Sequence, residues 1–183
     1  MKKLLTIILL SSVIILSSCS KDDPDPVLPQ EVITSLTYTL TSTSGAVFNF
    51  KFEDPDGDGG IEPTVTADDI PANTTFTGRI ELLNQTLDPI EDVTLEVLEE
   101  DLDHQFFYSS TLNGVSISYQ DQDSAGNPLG VDTEVTTGAA GNGQLTVILR
   151  HEPVKDAEGV STGDITNAGG ETDIEVTFNL NVQ

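Results

Sequence analysis

Ile174-Glu175-Val176-Thr177-Phe178-Asn179-Leu180-Asn181-Val182 alternates apolar and polar side chains without a break. Successive side chains of a strand point to opposite faces, so this run reads as a strand with one buried and one wet face. The same period recurs upstream. Ala46, Phe48, Phe50 and Phe52 alternate with Val47, Asn49, Lys51 and Glu53, and Phe76, Gly78, Ile80 and Leu82 with Thr75, Thr77, Arg79 and Glu81. Val115, Ile117 and Tyr119 follow the pattern, and so do Leu145, Val147 and Leu149. Weaker runs at 32–40, 64–66, 105–111 and 131–135 bring the expectation to about eight or nine strands. Thr is frequent at the outward positions, where a β-branched side chain that tolerates water fits a pleated surface. Turn chemistry punctuates the runs at Ser44-Gly45, Asn113-Gly114, Ala125-Gly126-Asn127-Pro128 and Asn142-Gly143. The chain is therefore expected to be mainly β, an antiparallel, immunoglobulin-like β-sandwich.

One segment departs from period two. Asp88-Pro89-Ile90-Glu91 offers an N-cap, a first-turn Pro and a Glu three residues after the cap, followed by Ile90, Val93, Val97 and Leu98 at helical spacing. This predicts one short acidic helix, although Val93, Leu95 and Val97 also fit a strand.

The chain has 183 residues with 31 acidic against 7 basic side chains, a net charge of −24. Two of the basic residues sit in the first 18, which hold no acid, so the remainder is more acidic still. Such a body repels phosphate, which excludes nucleic acid as a partner. A single Cys excludes a disulfide framework and a Cys-based zinc site.

Residues 1–18 read as a signal peptide: Lys2 and Lys3, then an apolar run from Leu4 to Leu16, short of the about 20 residues a membrane span needs. Leu16-Ser17-Ser18-Cys19 matches the bacterial lipobox, which makes Cys19 the lipidation site. Residues 19–30, rich in Pro and Asp, form the lipidated tether, and 31–183 the β-sandwich domain. Acyl chains on Cys19 would hold the protein to a membrane without a spanning helix.

Asp54-Pro55-Asp56-Gly57-Asp58-Gly59-Gly60-Ile61-Glu62 matches the first nine positions of an EF-hand calcium loop. A hard cation needs several oxygens, and alternating acids on a tight Gly turn can converge on one point. Asp54, Asp56, Asp58 and Glu62 are the candidate calcium ligands, with Asp68 and Asp69 available to complete the shell. Position twelve is Val65 rather than Glu, so a complete EF-hand is excluded, and a solvated turn accounts for the same residues.

His104 and His151 each occupy a strand end beside carboxylates. With Glu152 they form a candidate zinc site, a donor set that also suits copper or iron. Exposed histidines at loop margins are the plainer reading. Enzyme signatures are missing: no Gly-x-Ser-x-Gly, no nucleophilic Cys outside the lipobox, and no Trp to stack on sugar. The long Gly-rich stretch 158–170 carries no P-loop Lys and reads as a hairpin connection.

The lipobox, the Asp-rich turn, Glu99–Tyr108, Leu149-Arg150-His151-Glu152-Pro153 and the stretch Gly163–Phe178 together resemble small acidic outer-membrane lipoproteins of marine flavobacteria. Members are often labelled type 1 periplasmic binding fold proteins, a two-lobed α/β architecture that the strand pattern here does not match. The resemblance implies an outer-membrane lipoprotein, on the periplasmic face or the cell surface, and brings no catalytic residues. The expected function is a non-enzymatic, lipid-anchored binding module accessory to ion or small-nutrient capture, serving an outer-membrane transport receptor. The alternative is a structural or adhesive acidic surface protein without a specific small ligand.

Overall fold

The computed structural model describes residues 32–183. The signal peptide, Cys19 and the tether lie outside the described residues. Among the described residues, ten strands and one α-helix follow in the order β1 (Ser35–Ser42), β2 (Val47–Glu53), β3 (Thr64–Ala67), β4 (Thr75–Asn84), β5 (Glu91–Asp92), α1 (Val93–Glu99), β6 (His104–Ser110), β7 (Ser116–Tyr119), β8 (Asp132–Thr136), β9 (Gly141–His151) and β10 (Glu171–Val182). Two antiparallel sheets face each other. The larger has the order β3-β2-β1-β4-β8-β7, with β5 on the end of β4, and the smaller is β10-β9-β6. The mainly β sandwich expected from the alternation is what the chain forms.

The period-two positions meet in the middle. Leu36, Tyr38, Leu40, Phe50, Phe76, Ile80 and Leu82 of the large sheet pack against Phe106, Leu145, Val147, Leu149, Val176, Phe178 and Leu180 of the small one. Phe178 sets its edge against the Phe50 ring at 5.7 Å. Each such buried side chain removes enough apolar surface from water to contribute about 1.5–3 kcal/mol. Gly78, on this inner face, has to be glycine, because a Cβ there would sit 2.4 Å from Thr133 Oγ1 and 2.7 Å from Tyr38 Oη.

Both lateral edges of the sandwich are stitched. At one, Ile70 bridges Val182, its N–H donating to Asn181 O at 3.0 Å while Gln183 N–H returns a bond to Ile70 O at 2.9 Å. At the other, Phe106 N–H donates to Leu129 O at 2.8 Å and Tyr119 Oη donates to Phe106 O at 2.8 Å.

Two local expectations are corrected. The helix forms, but its N-cap is Asp92, whose side chain accepts from Thr94 N–H at 3.0 Å, rather than Asp88. The reason is tertiary: Glu91 and Asp92 are held in register with Asn84 and Leu83 of β4, so helical backbone cannot begin before them. Asn142-Gly143 is not a turn but part of β9. Gly143 is small because a Cβ would lie 2.8 Å from Leu112 Cβ and 2.9 Å from Leu112 N.

The β9–β10 connection covers the outer face of the small sheet. Val160 and Ala168 bury Phe107, with Ala157, Ile148 and Ile165 around them, forming a second small core. Gln105, fully buried, donates from Nε2 to Val160 O at 3.0 Å and pins the loop to the sheet.

Candidate metal centre

His104 is the first residue of β6 and His151 the last of β9, and the two are direct partners across the antiparallel ladder. Residues opposite each other share a face. His104 has the parity of Phe106, and His151 that of Leu149, so both imidazoles lie on the inner face at the sheet's end. Their ring centroids are 4.7 Å apart, edge to face at 74°.

The third member arrives from β10. Register there shifts between Thr172 and Ile174, so Asp173 is the extra residue of a β-bulge. In unbroken alternation Asp173 would face outward with Glu175 and Thr177. The bulge instead aims its carboxylate at the histidines, a recurrent use of such irregularities. His104 Nε2 stands 3.8 Å from Asp173 Oδ2, and His151 Nδ1 stands 3.9 Å from Asp173 Oδ1. Among the described residues, these three form the one group of potential ligands whose donor atoms converge, all within 4.8 Å of one another.

Hydrogen bonding fixes what His104 presents. Its Nδ1 lies 3.1 Å from the Glu100 carbonyl oxygen, which can only accept, so Nδ1 carries the proton. The second ring nitrogen, Nε2, then faces the Asp173 carboxylate. Nε2 and Asp173 Oδ2 are both buried, and neither has a hydrogen-bond partner. Two such unpartnered atoms facing each other in a dry site call for a positive species between them, a proton or a metal ion. A ligating imidazole whose other nitrogen donates to a backbone carbonyl is also the usual outer-shell arrangement of a metal site. Burial pushes the Asp173 carboxyl above its ordinary value, and the pull of the two imidazoles offsets only part of this. In a tetrahedral zinc site, donors about 2.0–2.1 Å from the ion stand about 3.3 Å from each other. To meet that geometry the two histidine–carboxylate separations contract by about half an ångström and the widest, within 4.8 Å, by up to about 1.5 Å, a change that side-chain rotation supplies.

Glu152, expected as the third ligand, is not part of the cluster. It lies exposed one residue past the end of β9 with φ at +50°, and its N–H donates to Asp103 O at 2.6 Å. Adjacent residues of a strand face opposite ways, so proximity to His151 in sequence did not bring it inward. Arg150 supports the bulge instead, donating from Nε to Gly169 O at 3.0 Å and from Nη1 to Thr172 Oγ1.

The segment that orients His104 is fixed by a buried ion pair. Lys155 Nζ lies 2.9 Å from Asp123 Oδ2, with side chains 5% and 0% exposed, and also donates to Asp101 O. Asp123 Oδ1 accepts from Ala125 and Asn127 N–H at 2.9 and 2.8 Å, and the Asp101 carboxylate caps Ser124. Three loops, around Asp101, Asp123 and Lys155, are thereby joined beside Glu100.

The Asp-rich loop is built differently. The chain leaves β2 at Glu53, makes a 3₁₀ turn at Gly57–Gly59, and Asp56 Oδ2 accepts from Ile61 N–H at 3.2 Å. Asp54 is half-buried and Glu62 exposed, while the Asp58 side chain lies outside what is described. Asp68 and Asp69 are engaged elsewhere, accepting from Asn49 N–H at 2.7 Å and Gln183 Nε2 at 3.5 Å.

No family model, curated protein or solved structure matches this chain. Among the described residues, no helix is long and apolar enough to cross a membrane.

Proposed function

We propose that the protein is a lipid-anchored binding module of the bacterial cell envelope that captures a first-row divalent metal ion at His104, His151 and Asp173, without catalysing a reaction. One observation carries the reading: two imidazoles and a carboxylate from three neighbouring strands point at one buried spot, where His104 Nε2 and Asp173 Oδ2 have no hydrogen-bond partner. Borderline nitrogen donors favour zinc, copper or iron over calcium and magnesium. The acidic body of 31 carboxylates raises the local cation concentration and speeds arrival. An outer-membrane transport receptor is the proposed recipient, and nucleic acid is not a proposed partner.

The test is a calorimetric titration of the full chain in mild detergent. Zinc should fill one saturable site per chain, and Asp173→Asn should weaken it by at least tenfold while Glu152→Gln leaves it unchanged. Diffuse, unsaturable zinc uptake would instead support the acidic surface-protein reading. The same titration with calcium, in a magnesium background, tests a separate site at Asp54, Asp56, Asp58 and Glu62. Asp56 Oδ1 is buried there without a hydrogen-bond partner, which favours an ion in the loop. A saturable calcium site lost in Asp56→Asn is expected.

The anchor has its own outcome. Cys19→Ser should abolish incorporation of a labelled fatty acid into the protein, because the thiol is the attachment point for the acyl chains. Labelling of that variant equal to the wild type, or no labelling of the wild type, would sink the lipoprotein assignment.

A further inference from the structure

We infer that the His104–His151–Asp173 centre is an open site, with three protein ligands and a fourth coordination position available to an exogenous small ligand such as water, an anion or an incoming donor group. This deepens the metal-binding reading and rests on it. Burial across the cluster is graded: the His104 and Asp173 side chains are 0% and 1% exposed, while His151 is 20% exposed. An ion drawn toward the two buried donors therefore has them on its inner side. The solvent-reached side, at the rim of the sandwich beside His151, receives the fourth ligand.

Among the described residues, two carboxylates beside His151 could compete for that position. Glu152 is held away, since its backbone is locked by the bond to Asp103 O and its side chain is exposed. Glu171 is the nearer rival, because it pairs directly with His151 in the ladder and so shares its face. Yet Glu171 is exposed and outside the converging group. Its negative charge beside Asp173 draws cations to the rim without closing the shell. Structural zinc sites are closed by four protein ligands, whereas sites that act on or exchange something keep one position open. A three-ligand site also lets the ion leave by associative attack from a new donor, which suits delivery to a receptor.

Cobalt(II) makes the coordination visible, because its d–d absorption is strong in four-coordinate sites and shifts with the ligand set. The full chain in detergent is stripped with a chelator, dialysed, loaded with one equivalent of cobalt and titrated with azide. Intense visible bands that shift saturably with azide are expected in the wild type. Glu171→Gln should keep both the bands and the shift. His104→Ala should lose the bands, and Asp173→Asn, which preserves shape and so separates loss of a ligand from loss of fold, should lose or weaken them as well. Cobalt bound with bands that ignore azide would overturn the open site while leaving metal capture intact. An azide response appearing only in Glu171→Gln would do the same and make Glu171 the fourth ligand. Failure of the wild type to take up cobalt or zinc overturns the binding reading and this inference together.

Discussion

Lys155→Met should destabilise the protein by about 3–5 kcal/mol, the cost of leaving a buried charge uncompensated. Asp123 is fully buried, and without the ammonium its carboxylate keeps only the backbone donors of Ala125 and Asn127. The double variant Asp123→Leu/Lys155→Met removes both charges and should recover much of the loss, since well-packed apolar pairs often replace buried ion pairs at little cost. Chemical denaturation of wild type, single and double variants measures all three. An equal loss in single and double variants would show that packing, not the unpaired charge, dominates.

The same pair sets a pH dependence. Burial alone would push the Asp123 carboxyl up, but the Lys155 ammonium and the two backbone N–H groups outweigh it and hold the carboxyl below its ordinary 3.8. The folded state thus binds this proton less tightly than the unfolded chain. The resulting stability is complete above the ordinary value and is lost as pH falls through the lowered one. Denaturation midpoints between neutral pH and the acid side of 3.8 should fall more steeply in the wild type than in Lys155→Met.

Gly170→Ala is the second large effect, and it joins stability to the metal centre. Gly170 has φ at +67°, and a Cβ there would sit 2.1 Å from the His151 carbonyl oxygen and 2.9 Å from Glu152 O. The left-handed backbone costs an L-residue about 1–2 kcal/mol. The clash is with backbone, not a rotatable side chain, so the start of β10 must move away from the end of β9. A total loss of about 2–4 kcal/mol is expected. Because Asp173 hangs from that strand start and His151 from that strand end, zinc affinity should fall by tenfold or more. Gly45→Ala is the control: φ is +86° there, and nothing lies within 4 Å of the new Cβ. It should cost only the backbone strain and leave zinc affinity untouched. Equal zinc affinity in both variants would detach the metal site from the β9–β10 approach.

Much of this architecture is written in local pattern. The alternation ending at Val182 placed Phe178 and Leu180 in the core correctly, because a one-residue slip would turn every apolar side chain of β10 to water. The position of His104 and His151 at strand ends was legible for the same reason: each terminates a period-two run. The helix was legible in kind but not in start, since Asp88-Pro89 and Asp92 are both sound caps locally, and only pairing of Glu91 and Asp92 with β4 chooses between them.

What the chain order alone determined is the sandwich, the identity of its buried faces and the acidity of its surface, all consequences of side-chain period and composition. The tertiary structure decided the site. Asp173 sits among outward-facing residues in the alternation, and no pattern in the sequence announces the bulge between Thr172 and Ile174 that turns it inward. Lys155 and Asp123 meet across 32 residues of chain, on loops without periodicity. Period two reports which face a side chain takes within one regular strand. It carries no information about where regularity breaks or which loops the fold brings together, and the metal centre and its support are built from those breaks and meetings.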